Sequence, residues 1–356
     1  MQAPIFEYMT RYRYKKVVLC QSADVGLKAV IAIHSTTLGP ATGGTRMWTY
    51  PSEADAILDA MRLARGMTYK YAAAGVDLGG GKCVIIGDPK THKTEGLLRA
   101  LGRFIASLGG EFLTGEDVGT TLEDMEVLAS ECDYIVTLPE HAGGAGPIAP
   151  ATAFGVLQAM KACCRAAYGT DGLQGRRVTL QGLGAVGSEM LKLLAKEGAE
   201  VIVSDIDQAT VEWARREFGV GAVPPEAIYR ERCDIFCPCA LGGILNDQVL
   251  PQLTCRIVCG SANNQLWEER HGDELHRRGI LYAPDYIANA GGTIFDTDRL
   301  RKGGFNRERA MHNVARIGQT MERLVALSKG EGIPTYVAAD RLAEERLAMK
   351  EKVRLI

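Results

Sequence analysis

Apolar and polar positions follow two different rhythms along this chain. In the first stretch, Val17 to Cys20 and Leu27 to His34 are short apolar runs rich in β-branched residues and read as strands. Ser52 then opens a helix, with Asp55 three positions on as a capping acid and Ile57, Met61 and Ala64 on one apolar face. Its far end falls at Gly66-Met67-Thr68-Tyr69-Lys70. Cys83 to Ile86 is another strand, closed by Gly87-Asp88-Pro89. A helix at Glu95 to Ser107, a strand at Phe112 to Thr114 and a helix capped by Thr121 complete an α/β unit.

The pattern changes at Ala142-Gly143-Gly144-Ala145-Gly146-Pro147. Glycine widens backbone freedom and proline interrupts regular structure, so this segment reads as a hinge between two bodies. A long helix, Thr152 to Ala167, then leads into strand, glycine turn, helix and strand in quick succession, the rhythm of a parallel sheet with crossover helices. The expected strands are Val178 to Gln181, Glu200 to Ser204, Asp234 to Cys237, Arg256 to Cys259 and Ile280 to Ala283, with Gly219-Val220-Gly221 as a loop. After Gly304 the pattern is helical through Leu327 and again from Tyr336 to Lys350.

At 356 residues the chain is longer than a single core usually supports, which agrees with two domains. Its formal charge is −2 and its 41 Lys and Arg are dispersed, so nucleic acid is not an expected partner. Met1 to Tyr14 lacks the apolar core of a signal peptide, and no apolar run is long enough to span a membrane, so a cytoplasmic protein without a membrane partner is expected. Cys233, Cys237, Cys239, Cys255 and Cys259 raise the question of zinc. Their C-x3-C-x-C and C-x3-C spacings lack paired C-x2-C hooks, and they fall in apolar runs. They read as reduced core thiols, with no metal.

Candidate chemistry sits in three places. Gly182-Leu183-Gly184-Ala185-Val186-Gly187 follows an expected strand and opens an expected helix, the setting in which G-x-G-x-x-G carries a dinucleotide: one glycine turns, one admits the pyrophosphate, one lets helix and strand approach. The helix N-terminus adds a favourable field for the phosphates. Asp205, at the end of the next strand, suits two ribose hydroxyls and repels a 2′-phosphate, so NAD is favoured over NADP. Gly79-Gly80-Gly81-Lys82 is no phosphate-binding P-loop, because Val76 replaces the first glycine and Cys83 the Ser/Thr. Lys82 instead sits where desolvation and a second cation such as Lys70 would lower its pKa, suiting it to act as a base. Asp117 is the acid that completes the set.

Taken together, Leu38 to Trp48 (LGPATGGTRMW), Arg65 to Lys70 (RGMTYK), Gly79 to Lys82, Thr114 to Thr120 (TGEDVGT), Gln181 to Gly184, Pro238 to Gly243 (PCALGG), Gly260 to Leu266 (GSANNQL) and Asn289 to Gly292 (NAGG) resemble the leucine/phenylalanine/valine branch of the amino-acid dehydrogenase superfamily that includes glutamate dehydrogenase. The resemblance implies two α/β domains separated by a cleft. Residues 1–147 plus 330–356 would form a mixed-sheet substrate-binding and oligomerisation domain, and 148–329 a Rossmann-type, doubly wound NAD domain. It implies reversible NAD-dependent oxidation of an L-amino acid to its 2-oxo acid and ammonia. Lys70 would hold the substrate carboxylate with the backbone at Gly43 and Gly44, Lys82 would activate water, and Asp117 would move protons to and from the amine. Thr152 and Ala240 would lie by the cofactor, and Asn263 by nicotinamide ribose or substrate. A homo-oligomer, commonly an octamer, is implied as well.

Most of the chain is most similar to the leucine enzymes, so a branched-chain substrate such as leucine, valine or isoleucine is expected. Thr42 disfavours glutamate, whose distal carboxylate it would leave unpaired. Gly115 points the other way, since a lost methyl would make room for an aromatic ring. Thr42, Thr293 and Asp296 also make the expected side-chain pocket more polar than in leucine enzymes. Oxidation of phenylalanine and a catalytically silent NAD-binding sensor are the competing functions.

Overall fold

Strands β1 (Lys16–Ser22) and β2 (Leu27–Ser35) pair antiparallel, and β2 carries apolar side chains on both faces. Ile31 and Ile33 belong to one buried cluster, with Leu101 and Ile105 of the helix Glu95–Ser107 and Met125 of the helix Leu122–Ala129. Val30 and Ala32 point the other way, onto Ala56, Ala60, Met61 and Ala64 of the helix Glu53–Ala73. Covering both faces is what turns an alternating strand into a continuous apolar run. The computed structural model describes residues 5–354. With β3 (Ala41–Trp48), β4 (Gly79–Ile86) and β5 (Phe112–Glu116), the first sheet runs β1-β2-β4-β3-β5, mixed in direction, with β3 parallel to both β4 and β5.

The second sheet comprises β6 (Arg177–Gln181), β7 (Glu200–Ser204), β8 (Gly221–Ala222), β9 (Ile235–Pro238), β10 (Ile257–Val258) and β11 (Leu281–Tyr282), every pairing parallel. Its order β11-β10-β9-β6-β7-β8 is that of a doubly wound dinucleotide-binding sheet, with the winding reversed between β6 and β9. In such sheets ligands bind beyond the carboxyl ends of the strands flanking the reversal.

Two compact units divide the described residues. The first holds 5–146, 296–306 and 343–354, and the second 147–295 and 307–342. The sequence reading put 330–356 with the first unit. The chain in fact stays with the second until 342, and 296–306 crosses to the first. Within the first unit Ala343 packs against Leu38 and Ala72, and the Arg346 guanidinium donates to the carbonyls of Tyr71, Ala72 and Val76 at 3.1 Å each.

Several elements differ from expectation. β3 was absent from the predicted strands, the strand expected at Cys83 to Ile86 begins earlier, with the glycines at 79–81 as the first residues of β4, and the helix from Ser52 continues past Lys70 to Ala73. Gly221 also belongs to a two-residue edge strand. Close approach explains the glycines in β4. A Cβ on Gly80 would run into the backbone N and Oγ1 of Thr68 and the carbonyl of Ala64, so the helix Glu53–Ala73 rests directly on the strand. Gly80→Ala should therefore destabilise the protein by about 3 kcal/mol, at the upper end for overpacking, because helix backbone rather than a side-chain tip must move. Denaturant unfolding with an unchanged m-value is the measurement, and a loss under about 0.5 kcal/mol would contradict so tight a seat.

Candidate active site

β3 enters the centre of the first sheet as Ala41-Thr42-Gly43-Gly44-Thr45-Arg46, and Gly44 is in register with Gly115 of β5. Lys82 lies on β4, on the other side of β3, and is 5% exposed. Its ammonium is 2.9 Å from Asp117 Oδ2, just past the end of β5. A Cβ on Gly44 would sit 3.3 Å from Lys82 Nζ, 2.8 Å from Asp117 Cβ and 2.7 Å from the Glu116 carbonyl. The missing side chain at Gly44 is thus the space in which amine and acid meet.

The sequence reading, built on desolvation and a second cation, did not contain this direct ion pair. Nor did it contain Arg46, whose Nε donates to Asp117 Oδ2 at 2.9 Å and whose Nη1 reaches Asp59 Oδ2 at 3.1 Å. Tyr50 Oη donates to the same Asp59 oxygen at 2.5 Å. Burial by itself would raise the Asp117 pKa, but the Lys82 and Arg46 charges outweigh it and hold the carboxyl at about 2. The turn beyond is tied to β3: Thr120 Oγ1 donates to the Thr45 carbonyl at 2.8 Å, and Met47 N donates to the Val118 carbonyl at 2.9 Å. One signal for Arg46 was available, since residues i and i+2 of a strand share a face and Gly44 is two positions away.

The other candidates of this unit fall nearby. Gly43 is buried, and a Cβ there would collide with the Gly81 carbonyl, so the two strands meet without room for a side chain. Thr42 is 2% exposed and donates from Oγ1 to the Pro40 carbonyl at 3.2 Å, so its hydroxyl is already engaged. Lys70 is half-buried in the last turn of the helix Glu53–Ala73, two residues beyond the Thr68 that rests on Gly80.

Gly115 corrects the argument made for an aromatic substrate. The volume a Cβ would take there is filled by the hydroxyl of Thr137, which donates to Asp296 Oδ2 at 2.7 Å. The lost methyl makes room for the protein's own threonine, and no space for a ring opens at that point. Asp296 is buried and its Oδ1 has no hydrogen-bond partner among the described residues, and burial pushes its pKa up to about 6 against the opposing Thr137 hydrogen bond.

In the second unit Gly182, with φ of 92°, follows β6, and the helix Ala185–Lys196 begins at Ala185 with no side chain capping it. A Cβ on Gly182 would lie 2.8 Å from Ala240 N, and one on Gly187 would strike the Gly182 carbonyl, whereas beside Gly184 the space is open. Leu183 N donates to Asp205 Oδ2 at 2.6 Å and Asp207 N to Oδ1 at 2.8 Å. Asp205 therefore does orient the turn with Asp207, and a carboxylate has about four lone-pair sites, so two remain for ribose hydroxyls. Ala185 and Val186 form the first turn of the helix, where uncapped N–H groups suit a phosphate. These residues fit a dinucleotide. Ala240 follows β9 on the other side of the winding reversal. The exposed Asn263 accepts from Asn289 Nδ2 at 2.7 Å through Oδ1. Thr152 is buried on the helix Ala149–Tyr168 and donates to the Ile148 carbonyl at 3.1 Å, while Gly292, next to the half-buried Thr293, has no Cβ and so clears Thr152 Oγ1. Among the described residues no cluster of His, Cys, Asp or Glu is arranged to hold a metal, and no helix is long and apolar enough to cross a membrane.

Two family models match the chain: the dimerisation domain of Glu/Leu/Phe/Val dehydrogenases over residues 14–134, and the Glutamate/Leucine/Phenylalanine/Valine dehydrogenase model over 143–212 and 209–297. The chain belongs to the Glu/Leu/Phe/Val dehydrogenase family. It is 54% identical over 350 residues to leucine dehydrogenase of Geobacillus stearothermophilus, covering 98% of this chain and 95% of that one. With phenylalanine dehydrogenase of Thermoactinomyces intermedius it shares 45% over 354 residues, 99% and 96% of the two chains. A solved L-tryptophan dehydrogenase from Nostoc punctiforme superposes with a TM-score of 0.85 at 42% identity, covering 98% of this chain and 100% of that one. This dehydrogenase is accordingly an oxidoreductase, with the two-domain α/β fold its sequence predicts.

Two expectations follow from the first unit. Gly44→Ala should lower kcat at least about 100-fold, because an added methyl displaces both members of the ion pair and misplacement of about 1 Å is enough for such a loss. A variant that keeps more than about a tenth of wild-type turnover would contradict the assigned geometry. Asp296 is predicted to shape stability against pH. Its folded pKa of about 6 lies above the ordinary 3.8, so its contribution is fully present below pH 3.8 and lost as pH rises through 6. Asp296→Asn should remove that dependence and unfold later than wild type at pH 8, by up to about 3 kcal/mol. Parallel stability–pH curves for the two proteins would refute it.

Proposed function

We propose that this dehydrogenase carries out the NAD-dependent oxidative deamination of branched-chain aliphatic L-amino acids. In the balanced reaction an L-amino acid, NAD and water give the 2-oxo acid, ammonium, NADH and a proton. The observation that carries the chemistry is the Lys82–Asp117 ion pair, 2.9 Å long and almost buried over a glycine. Asp117, held ionised by Lys82 and Arg46, accepts a proton from the substrate ammonium and returns one to departing ammonia. Lys82 orients and activates the water that adds to the imine carbon, and Lys70 pairs with the α-carboxylate. The backbone at Gly43 and Gly44 lets the substrate approach.

Gly182 to Gly187 would hold the NAD pyrophosphate, Asp205 the adenosine ribose, and Thr152, Ala240 and Asn263 the nicotinamide half. When bound, NAD supplies the two-electron acceptor for the substrate Cα–H. The leucine substrate class is supported by the 54% identity to a leucine dehydrogenase. The phenylalanine reading loses its main support, because Thr137 fills the space at Gly115. A homo-oligomer agrees with the family's dimerisation-domain model.

Initial rates with leucine, valine and phenylalanine test the substrate class. Leucine or valine should have the highest kcat/KM, and a phenylalanine value about tenfold above leucine's would overturn it. No NADH with any amino acid would favour the silent sensor. Asp205→Ala should narrow the preference for NAD over NADP by at least about tenfold, and unchanged discrimination would remove Asp205 from the cofactor site.

A further inference from the structure

The ten cysteines of the chain are all free thiols, and three pairs of them lie near one another within the second unit: Cys233 beside Cys255, Cys163 beside Cys259, and Cys237 hydrogen-bonded to Cys239. The last pair differs from the others in its place. Cys237 is buried in β9 and Cys239 follows one residue beyond the strand, part-exposed, so the two thiols share one face with Sγ atoms 3.7 Å apart. Cys239 N donates to the Gln181 carbonyl at 2.7 Å, its Cβ lies 3.5 Å from where a Gly187 Cβ would be, and the following Ala240 stands against Gly182. The pair therefore adjoins the first and third glycines of the dinucleotide turn.

We propose that Cys237 and Cys239 form a peroxide-reactive dithiol site whose oxidation to a disulfide weakens dinucleotide binding at the adjoining turn. The coupling to the turn rests on the NAD reading above; the disulfide chemistry does not. The hydrogen bond from Cys237 favours the thiolate at Cys239, with Ser261 adding to it, and pushes the buried Cys237 the other way. This is the division between an attacking and a resolving thiol. Cys239 thiolate attacks one oxygen of hydrogen peroxide, the O–O bond breaks, hydroxide leaves and takes up a proton, and a sulfenic acid forms. Cys237 sulfur then attacks the Cys239 sulfur, the S–O bond breaks, and a second water leaves with the Cys237 proton. Two thiols are oxidised to one disulfide as one peroxide is reduced to two waters.

Closing the sulfurs from 3.7 Å to about 2.05 Å takes up roughly 1.7 Å. Cys237 is fixed in a central strand, so the movement falls on Cys239 and Ala240, the segment in contact with Gly182. The Cys163–Cys259 pair is buried on both sides. Cys233 lies before β9, roughly 13 Å along the chain from Cys237, so oxidation there leaves the turn alone.

The test treats the full chain with hydrogen peroxide, alkylates the remaining thiols, maps them by mass spectrometry and titrates NADH by fluorescence. Cys237 and Cys239 should become resistant to alkylation together, the NADH Kd should rise at least about tenfold, and dithiothreitol should reverse both. Cys255→Ala should behave as wild type. In Cys237→Ala, or Cys237→Ser if alanine does not fold, no disulfide forms and dimedone labels Cys239. Cys237 and Cys239 staying alkylatable while other thiols oxidise would overturn the site, and a disulfide with unchanged NADH affinity would overturn the coupling. A reduced, untreated protein that binds no NADH would overturn the cofactor reading and with it the coupling, while the mass map still decides the disulfide.

Discussion

Almost everything in the first unit is arranged around a lysine ammonium taken out of water and answered by one carboxylate. An unpaired charge in that position would cost several kcal/mol, so Lys82 can be buried only with Asp117 at hydrogen-bond distance. Asp117 in turn receives Arg46, and Arg46 is shared with Asp59, which brings two cations and two anions into one cluster. Such a cluster keeps its acid ionised and its amine fixed without a net buried charge. The geometry also limits what the strands can be made of, because amine and acid meet in the volume a side chain at 44 would occupy.

Glycine accordingly does different work at different places along one sheet. At 80 it admits a helix backbone, at 44 it admits the ion pair, and at 115 it admits the hydroxyl of Thr137. Only the second concerns the proposed catalytic pair directly. A glycine at a substrate-pocket position is therefore not by itself a larger pocket, since the protein can fill the vacated space with its own atoms, as it does here with a threonine that also satisfies one oxygen of the buried Asp296.

Elements whose signals are local were readable from the sequence. Ser52 and Thr121 both accept from the backbone N–H three residues on, as expected of helix caps, and the helix Glu95–Ser107 has the expected ends. The glycine turn after β6 was equally plain, because its motif lies between an apolar strand and an amphipathic helix. β3 was not readable: Ala41-Thr42-Gly43-Gly44 has no alternation and a single branched residue among small ones, and its extended form comes from neighbours on both sides. Arg46 escaped notice because its one signal, a strand face shared with Gly44, needs β3 to be recognised, and its partners Asp59 and Asp117 lie 13 and 71 positions away. The free space at Gly115 was misjudged because Thr137, which fills it, lies 22 positions further along the chain.

The most direct measurement is the kinetics of Lys82→Ala on L-leucine beside its affinity for NADH. The account predicts a fall in kcat/KM of at least about 1,000-fold, as loss of an activating amine from a general acid–base pair would give, with NADH binding within about twofold of wild type. A variant that oxidises leucine within about tenfold of the wild-type rate would contradict it, because the buried amine would then have no part in the reaction.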